Sequence, residues 1–337
     1  DCLSELRKKM VTSLIRGKQF YSNRLLGKYW RVILDGTGVA CFEERHCDNC
    51  LYEKRTYKDG RKVTVYYHKV LEAKLILGDK IVVSLGTEFI ENERSDVSKQ
   101  DCETKAAKRL LERIKKEYPR LPICIQGDAM YATEPMMEIC RLNGWKYIFS
   151  HKEAQQRVLA DNYNLLSLED GKQKVQGIGA EKGTAIYCNG IGKMAGKTEI
   201  MNVYEYTCKK IIKKQEKTVH FQWITDIELT RRNLEEMVRA GRGRWKIENE
   251  GFNNQKNGIY HIQHLNSRNS NAMKNHYLLT QIADILMQLY LAWNPIIKEI
   301  KQSIKNTSSR LLESFRRQPV TDEDVHYILR YTTIYLE

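Results

Sequence analysis

The segment RWKIENEGFNNQK, residues 244–256, combines one acid with basic and aromatic residues at helical spacing. In an α-helix, Arg244 and Phe252 lie about 40° on either side of Glu248, and Glu250 points to the opposite side. This spacing predicts that Glu248 lies within an apolar stripe. Such a carboxylate needs a cation nearby, because burying an unpaired charge is costly. The cation is either a metal ion or Arg244, in a buried ion pair four residues apart.

Two aspartates follow short apolar runs that have the composition of buried strands. Asp35 ends the run RVILD and is followed by Gly-Thr-Gly, and Asp128 follows ICIQG. Runs of this kind bounded by glycine are typical of central strands, and the ligands of open sheets collect at the carboxyl ends of such strands. Asp226 also follows a strand-like run, and an aspartate there often only begins a turn. We expect Asp35 and Asp128 to approach Glu248.

Two strand-end aspartates and a helical glutamate form a set of oxygen ligands with a defined chemistry. Three such carboxylates can hold two divalent metal ions for in-line attack on a phosphodiester. Oxygen ligands that leave coordination positions open favour Mg²⁺ or Mn²⁺. We therefore predict that Asp35, Asp128 and Glu248 are both the metal ligands and the catalytic residues.

These motifs resemble those of the insertion-sequence DDE transposases whose glutamate helix carries the signature Tyr-x2-Arg-x3-Glu-x6-Lys. The resemblance extends from about residue 29 to about residue 293 and rests on LDGTG, YYHKVLEAKL, GTEFIENE, KQDCETKAAKRL, PICIQGDAMYA and RWKIENEGFNNQK. In that family the first aspartate, the second aspartate and the glutamate bind the metal ions, and they match Asp35, Asp128 and Glu248. The arginine of the signature matches Arg244.

The same segment supplies candidates for contacts with DNA. The resemblance implies that Arg244 steadies a phosphate near the cut. Gly241 stands at the tyrosine position of the signature and Gln255 at its lysine position, with Lys256 one step later as a second phosphate contact. Trp245 either stacks on an unpaired base at a cut end or packs as a core aromatic.

The charge of the chain is consistent with a nucleic-acid partner. Its 337 residues carry a net charge of +14 and a pI near 9.2. The basic residues cluster at 208–217, at 231–246 and in the C-terminal region, with apolar residues between them, as in phosphate-binding surfaces. We expect double-stranded DNA as the partner, both transposon ends and target, bound by a homodimer in a synaptic complex.

The nine cysteines have no framework spacing, which indicates reduced thiols in a reducing compartment. We therefore expect a bacterial cytoplasmic protein that associates with the nucleoid and not with a membrane. Cys47 and Cys50 form a single C-x2-C pair with His46 beside it. A Zn²⁺ site there would need distant ligands such as His68, so reduced loop cysteines are the favoured interpretation.

The predicted fold class is α/β, with an RNase H-like mixed sheet flanked by helices. Periodicity and glycine boundaries predict strands at about 31–35, 65–77, 80–90, 122–128 and 146–150, and helices at about 101–118, 134–142 and 271–293. The first half thus has the order three strands, helix, strand, helix, strand. We expect the tail of an N-terminal helical region in residues 1–28, the first part of the core in 29–152 and its second part, with the glutamate helix, in 220–293. A β-rich insertion, 153–219, separates the second aspartate from Glu248, and residues 294–337 form a helical tail. Because the chain begins with Asp1 and no Met, we expect a fragment or a trimmed product.

The predicted function is that of a DNA transposase, which cleaves transposon ends with divalent metal ions and transfers the strands to target DNA. Two alternatives remain open on the sequence. The first is a stand-alone RNase H-like nuclease without strand transfer. The second is a DNA-binding protein derived from a transposase that has lost catalysis.

Overall fold

A computed structural model describes residues 2–44, 46–95, 97–169, 171–191, 201–212, 215–264, 266–267, 269–294, 297 and 302–331, with the backbone alone at 155, 212, 249, 250, 328, 329 and 331. Its described strands form one ten-stranded sheet. They are β1 (Trp30–Phe42), β2 (Leu51–Thr56), β3 (Lys62–Ile76), β4 (Val82–Ile90), β5 (Ile123–Gly127), β6 (Lys146–Ser150), β7 (Gln173–Ile178), β8 (Gly183–Ile191), β9 (Met201–Ile212) and β10 (Gln215–Thr225).

Helices flank this sheet. They are α1 (Cys2–Arg16), α2 (Glu103–Glu117), α3 (Glu134–Leu142), α4 (Arg157–Leu165), α5 (Leu234–Arg242), α6 (Asn254–Asn257), α7 (Ser270–Trp293), α8 (Ile304–Arg317) and α9 (Asp322–Tyr331). None of the described helices is long and apolar enough to cross a membrane.

The sheet order is β2-β3-β1-β5-β6-β10-β9-β8-β7, and β4 pairs with the other edge of β3. The pairs β1–β5 and β5–β6 are parallel, whereas the remaining pairs are antiparallel. This arrangement confirms the mixed α/β sheet and its RNase H-like order of three core strands, helix, strand, helix, strand. The strands of the expected insertion extend the same sheet, because β10 pairs with β6.

Strand β1 is longer than its apolar run predicts. The sequence suggested a strand that ends at Asp35, but the strand continues to Phe42, and β2 was not predicted at all. The reason is long-range pairing. Strand β3 bonds to β1 from Val32 to Phe42, so the glycines after Asp35 are held in extended conformation by their partner strand.

The main core lies where the helices cover the central strands. Strand β5 is buried at all five residues, and α2 presents Ala106, Leu110 and Ile114 to the sheet at helical spacing. Helix α1 adds Val11 and Leu14 to the same core. The proposed division of the chain into units stays a prediction, and β10 continues across the expected boundary at residue 219.

A buried network of charged and polar side chains connects β3 with β4 and α7. Glu72 accepts hydrogen bonds from Ser84 Oγ (2.7 Å) and Thr87 Oγ1 (2.5 Å), and Lys74 Nζ lies 3.9 Å from its carboxylate. Lys74 also donates to Gln281 Oε1 on α7 (2.5 Å). Glu72 and Lys74 are fully buried. Each charge has partners, as burial requires.

Candidate active site

The first aspartate lies in the middle of β1. Its partner in register is Glu72 on β3. The Asp35 side chain is 28% exposed, and its Oδ1 accepts a hydrogen bond from the Gly36 N–H at 2.9 Å. Asp35 was expected at the end of its strand, but β1 continues to pair with β3 beyond it, so that expectation is wrong for this edge of β1. At the other edge it holds, because the parallel pairing with β5 stops at Ile33, two residues before Asp35.

The second aspartate occupies the matching position on the neighbouring strand. The last parallel pair is Ile33 with Gln126, so Asp35 and Asp128 each lie two residues beyond it. Asp128 follows β5 directly, and its Oδ1 accepts from the Met130 N–H at 2.9 Å. The parallel register thus places the two aspartates at matching positions on neighbouring strands, and the charge of Asp128 acts on Asp35.

The electrostatics of Asp35 reflect this arrangement. Burial raises the pKa of Asp35 to about 6, and the negative charges of Glu103 and Asp128 act in the same direction. The positive charge of Arg244 and the Gly36 N–H act in the opposite direction. Metal-free Asp35 is therefore an incompletely compensated carboxylate, which a divalent cation would relieve.

The segment that carries Glu248 is not a regular α-helix. After α5, one 3₁₀ turn (Gly243–Trp245) leads into a π-helical turn (Ile247–Asn253) and then α6. Ile247 and Phe252, five residues apart, are both buried against Ile33 and Ile76. A π-turn aligns residues i and i+5, so it brings these two onto one face.

The predicted burial of Glu248 is therefore wrong. Its side chain is exposed, because the π-turn gives the apolar face to Ile247 and Phe252. The side chain of Glu250 lies outside the described part of the structure. Ile247, the residue before Glu248, packs against Ile33 of β1, and Ile33 lies two positions before Asp35.

Arg244 connects the helical segment to the aspartates. Its Nη1 lies 4.0 Å from Asp35 Oδ2. Among the described residues it forms no ion pair with Glu248, so the alternative of a buried Arg244–Glu248 pair is wrong. Trp245 is 49% exposed, which also excludes a core aromatic.

The two residues at the lysine position of the signature have different environments. Gln255 is fully buried, and its Nε2 donates to Gln281 Oε1 (3.0 Å) and Asp284 Oδ2 (2.7 Å), so it belongs to the core. Lys256 is half-buried with its Nζ 5.8 Å from the centre of the Phe252 ring. Neither observation tests a phosphate contact.

Three residues that the sequence did not single out adjoin the aspartates. Glu103, the first residue of α2, is buried; it accepts a hydrogen bond from Tyr131 Oη (2.5 Å) and pairs with Lys69. A side chain at Gly36 would have to displace the Glu103 carboxylate, so the glycine next to Asp35 in LDGTG leaves room for it. In the sequence, only this glycine and the segment KQDCETKAAKRL, which contains Glu103, could have indicated that Glu103 lies beside Asp35.

Asp226 has a structural role. It pairs with Lys146 Nζ at 3.0 Å and accepts from the Tyr147 N–H at 3.1 Å, which fixes the end of β10 to β6. Burial raises its pKa, and the contact with Lys146 opposes that effect. The third strand-end aspartate is thus satisfied within the fold.

Only one group of three potential metal ligands is closely packed among the described residues. It comprises Cys47, Cys50 and His68, whose ligand atoms lie within 4.8 Å of one another. The three carboxylates do not form such a group, so their role as metal ligands stays a prediction. His46 stacks on Tyr66 with ring centres 4.0 Å apart, and Cys41 is exposed.

Comparisons with known proteins place the chain in a family. No curated protein sequence matches it. Among solved structures it is similar to the piggyBac transposase in a cryo-EM synaptic complex with hairpin DNA, with a TM-score of 0.46 and 8% sequence identity. That match covers 89% of this chain and 57% of the piggyBac chain, so the chain spans less than two thirds of that neighbour.

A family model described as "Transposase DDE domain" matches residues 26–285. The matched region contains all ten strands of the sheet as well as Asp35, Asp128 and Glu248. Because the match extends over most of the sequence, the chain belongs to the transposase DDE domain family.

Proposed function

We propose that the chain is a DNA transposase that cleaves transposon ends and joins the freed ends to target DNA. The observation that carries this proposal is the matched position of Asp35 and Asp128, each two residues beyond the last parallel pair of β1 and β5. This is where the ligands of an open sheet collect. Family membership gives the reaction class.

Asp35, Asp128 and Glu248 would hold Mg²⁺ or Mn²⁺, two ions in all. The donor set fits, because it consists of carboxylate oxygens, and Asp35 is incompletely compensated in the metal-free protein. The bound ions supply an activated nucleophile and charge stabilisation at the leaving oxygen. Asp35 must be deprotonated to act as a ligand, and its pKa is about 6 in the metal-free protein, so metal binding should weaken as the pH falls below about 6.

The remaining residues of the site would orient the DNA. Arg244 reaches Asp35 and has a planar guanidinium, which suits a phosphate next to the metal ligands. Trp245 is exposed beside it and would stack on an unpaired base. Lys256, one turn beyond Phe252, would contact a more distant phosphate.

The basic surface would bind double-stranded DNA, both transposon ends and target. Two of its described lysines are partly neutralised: Lys209 Nζ lies 3.0 Å from Glu216 Oε2, and Lys210 Nζ lies 3.4 Å from Glu181 Oε1. Lys213 and Lys214 lie outside the described residues. We further propose that the chain acts as a homodimer on paired ends, within the bacterial cytoplasm at the nucleoid.

A labelled duplex that carries the ends of the encoding element tests the proposal. We expect nicking and strand transfer with Mg²⁺ or Mn²⁺, loss of both in D35N, D128N and E248Q, and near-normal DNA binding by these variants. D226N is the matched control, because Asp226 pairs with Lys146, and it should cleave like the wild type. Cleavage without joining would support the stand-alone nuclease, and binding without cleavage would support an inactive DNA-binding protein.

A further inference from the structure

Cys47, Cys50 and His68 converge on one point, away from the aspartates. The Sγ atoms of Cys47 and Cys50 lie 3.4 Å apart, and His68 Nε2 lies 3.4 Å from the first and 3.3 Å from the second. Cys50 and His68 are buried, and Cys47 is partly buried. The sequence separates His68 from the cysteines by the whole of β2, and the β2–β3 hairpin brings it back to them.

The backbone around the cysteines forms a turn that presents both sulfurs to the same side. The Cys50 N–H donates to the Cys47 carbonyl oxygen at 3.2 Å, and the Cys47 N–H points to Cys50 Sγ at 3.4 Å. Asn92, beyond β4, donates to the Cys50 carbonyl oxygen at 2.8 Å. The turn is thus held in place from outside the loop.

These distances fit the edges of a tetrahedron around zinc. Zn–S bonds of about 2.3 Å and Zn–N bonds of about 2.0–2.1 Å place the two sulfurs about 3.8 Å apart and each sulfur about 3.6 Å from the nitrogen. The observed separations are shorter than these by only a few tenths of an ångström. Thiolate and imidazole ligands select zinc over Mg²⁺, which prefers oxygen.

Glu91 is the candidate for the fourth ligand, although its carboxylate does not belong to the closely packed group of three. One oxygen of its carboxylate, Oε2, pairs with Lys274 Nζ on α7 at 2.6 Å, while the other, Oε1, is buried and has no hydrogen-bond partner among the described residues. The carboxylate faces the cluster electrostatically: burial lowers the pKa of His68, and the charge of Glu91 opposes that effect. Glu91 would have to move toward the cluster to bind the same ion. The Lys274 contact would hold Glu91 in position from the outside, as partners of metal ligands commonly do.

We propose that Cys47, Cys50 and His68 bind a structural Zn²⁺ ion, with Glu91 as the candidate for the fourth position. The site ties the loop before β2 to β3 and to the end of β4. It is independent of the proposed transposase function, because it uses none of the three carboxylates assigned to catalysis. The next residue on β3, Lys69, pairs with Glu103 beside Asp35, so the zinc site braces the strand that supports the active site.

Metal analysis of the full chain, expressed with zinc in the medium and purified without chelator, tests the site directly. We expect about one zinc per chain, and X-ray absorption with two sulfur neighbours at about 2.3 Å. Cobalt replacement should give the charge-transfer absorption of a Co–thiolate bond. Zinc content at background, or a thiol count showing Cys47 and Cys50 joined in a disulfide, would overturn the proposal.

Variants identify the ligands. C47S, C50S and H68Q should each weaken zinc binding on the order of 100-fold or more, whereas E91Q should weaken it on the order of 10-fold or more. C41S is the matched control: Cys41 is exposed and pairs with Tyr67, so it lies on the opposite face of the sheet from His68. D35N should also retain zinc. Zinc lost in C41S or D35N, or retained in C47S, would contradict the assignment, and full affinity in E91Q would remove Glu91 from it.

Discussion

Asp35 and Glu72 are paired across β1 and β3, yet their carboxylates have opposite environments. Glu72 is fully buried and has two hydroxyl donors and a lysine beside it. Asp35 is 28% exposed, has one backbone donor at 2.9 Å and an arginine at 4.0 Å, and lies close to two further acids. The difference separates two kinds of carboxylate within one sheet: Glu72 is satisfied by the fold, whereas Asp35 is incompletely compensated and remains available for a cation.

Removing the satisfied carboxylate should have the largest effect on stability. E72A removes one of the two buried carboxylates that interact with Lys74, the other being Asp284, and leaves Ser84 and Thr87 without an acceptor. We therefore expect a loss of roughly 2–4 kcal/mol in the free energy of unfolding. Urea denaturation measures it. E216Q, at an exposed pair with Lys209, should change the stability by less than about 1 kcal/mol. A loss that small in E72A would show that the network contributes little.

Removing the Asp35 carboxylate should instead increase the stability of the metal-free protein. Because burial raises the folded-state pKa of Asp35 from 3.8 to about 6, metal-free protein loses stability as pH rises through this interval. D35N lacks this loss, so at pH 8 it should be more stable than the wild type by on the order of 1 kcal/mol, with roughly 3 kcal/mol as the upper bound.

Thermal melts of D35N and wild type between pH 4 and pH 8, with and without Mg²⁺, measure this effect. Mg²⁺ should stabilise the wild type and not D35N, because only the wild type keeps the ligand. E248Q is the control: Glu248 is exposed, so its metal-free stability should stay unchanged while cleavage is lost. A D35N protein that is less stable at pH 8 would mean that Asp35 is a structural residue like Glu72.

The charges around Asp35 can be changed in opposite directions. Arg244 lowers its pKa and Glu103 raises it. R244A should therefore move the acid limb of the cleavage profile to higher pH, and E103Q should move it to lower pH. R244A should also slow cleavage about 10²–10³-fold with a smaller loss of affinity, if Arg244 contacts the reacting phosphate as proposed. If the acid limb moved in the same direction in both variants, it would not report the protonation of Asp35.

The smallest expected effect is on DNA affinity. Lys209 and Lys210 are partly neutralised by Glu216 and Glu181, so K209A/K210A should reduce the salt dependence of binding by at most about 1.8 in slope, equally on any DNA sequence. Titrations at several salt concentrations measure it. R244A, which removes one proposed phosphate contact, should reduce the slope by at most about 0.9. A sequence-dependent loss in K209A/K210A would indicate base contacts instead.

Local patterns in the sequence determined much of this protein. The predicted strands at β3 to β6 and the helices at α2, α3 and α7 agree with the structure to within a few residues, because hydrophobic periodicity and glycine boundaries are local signals. Asp35 and Asp128 were identified for the same reason: each follows an apolar run. The parallel register then places them at equal distances beyond their last pair.

The tertiary structure decided the rest. Strand β1 extends beyond Asp35 because β3 pairs with it, and the segment around Glu248 forms a π-turn because Ile247 and Phe252 both pack against Ile33 and Ile76. Glu103 reaches Asp35, and His68 reaches Cys47, only through contacts between residues far apart in the chain. Periodicity records which side of an element is apolar. It does not record which partner that side meets, and here the partners determine which charges are compensated and which remain available for a ligand.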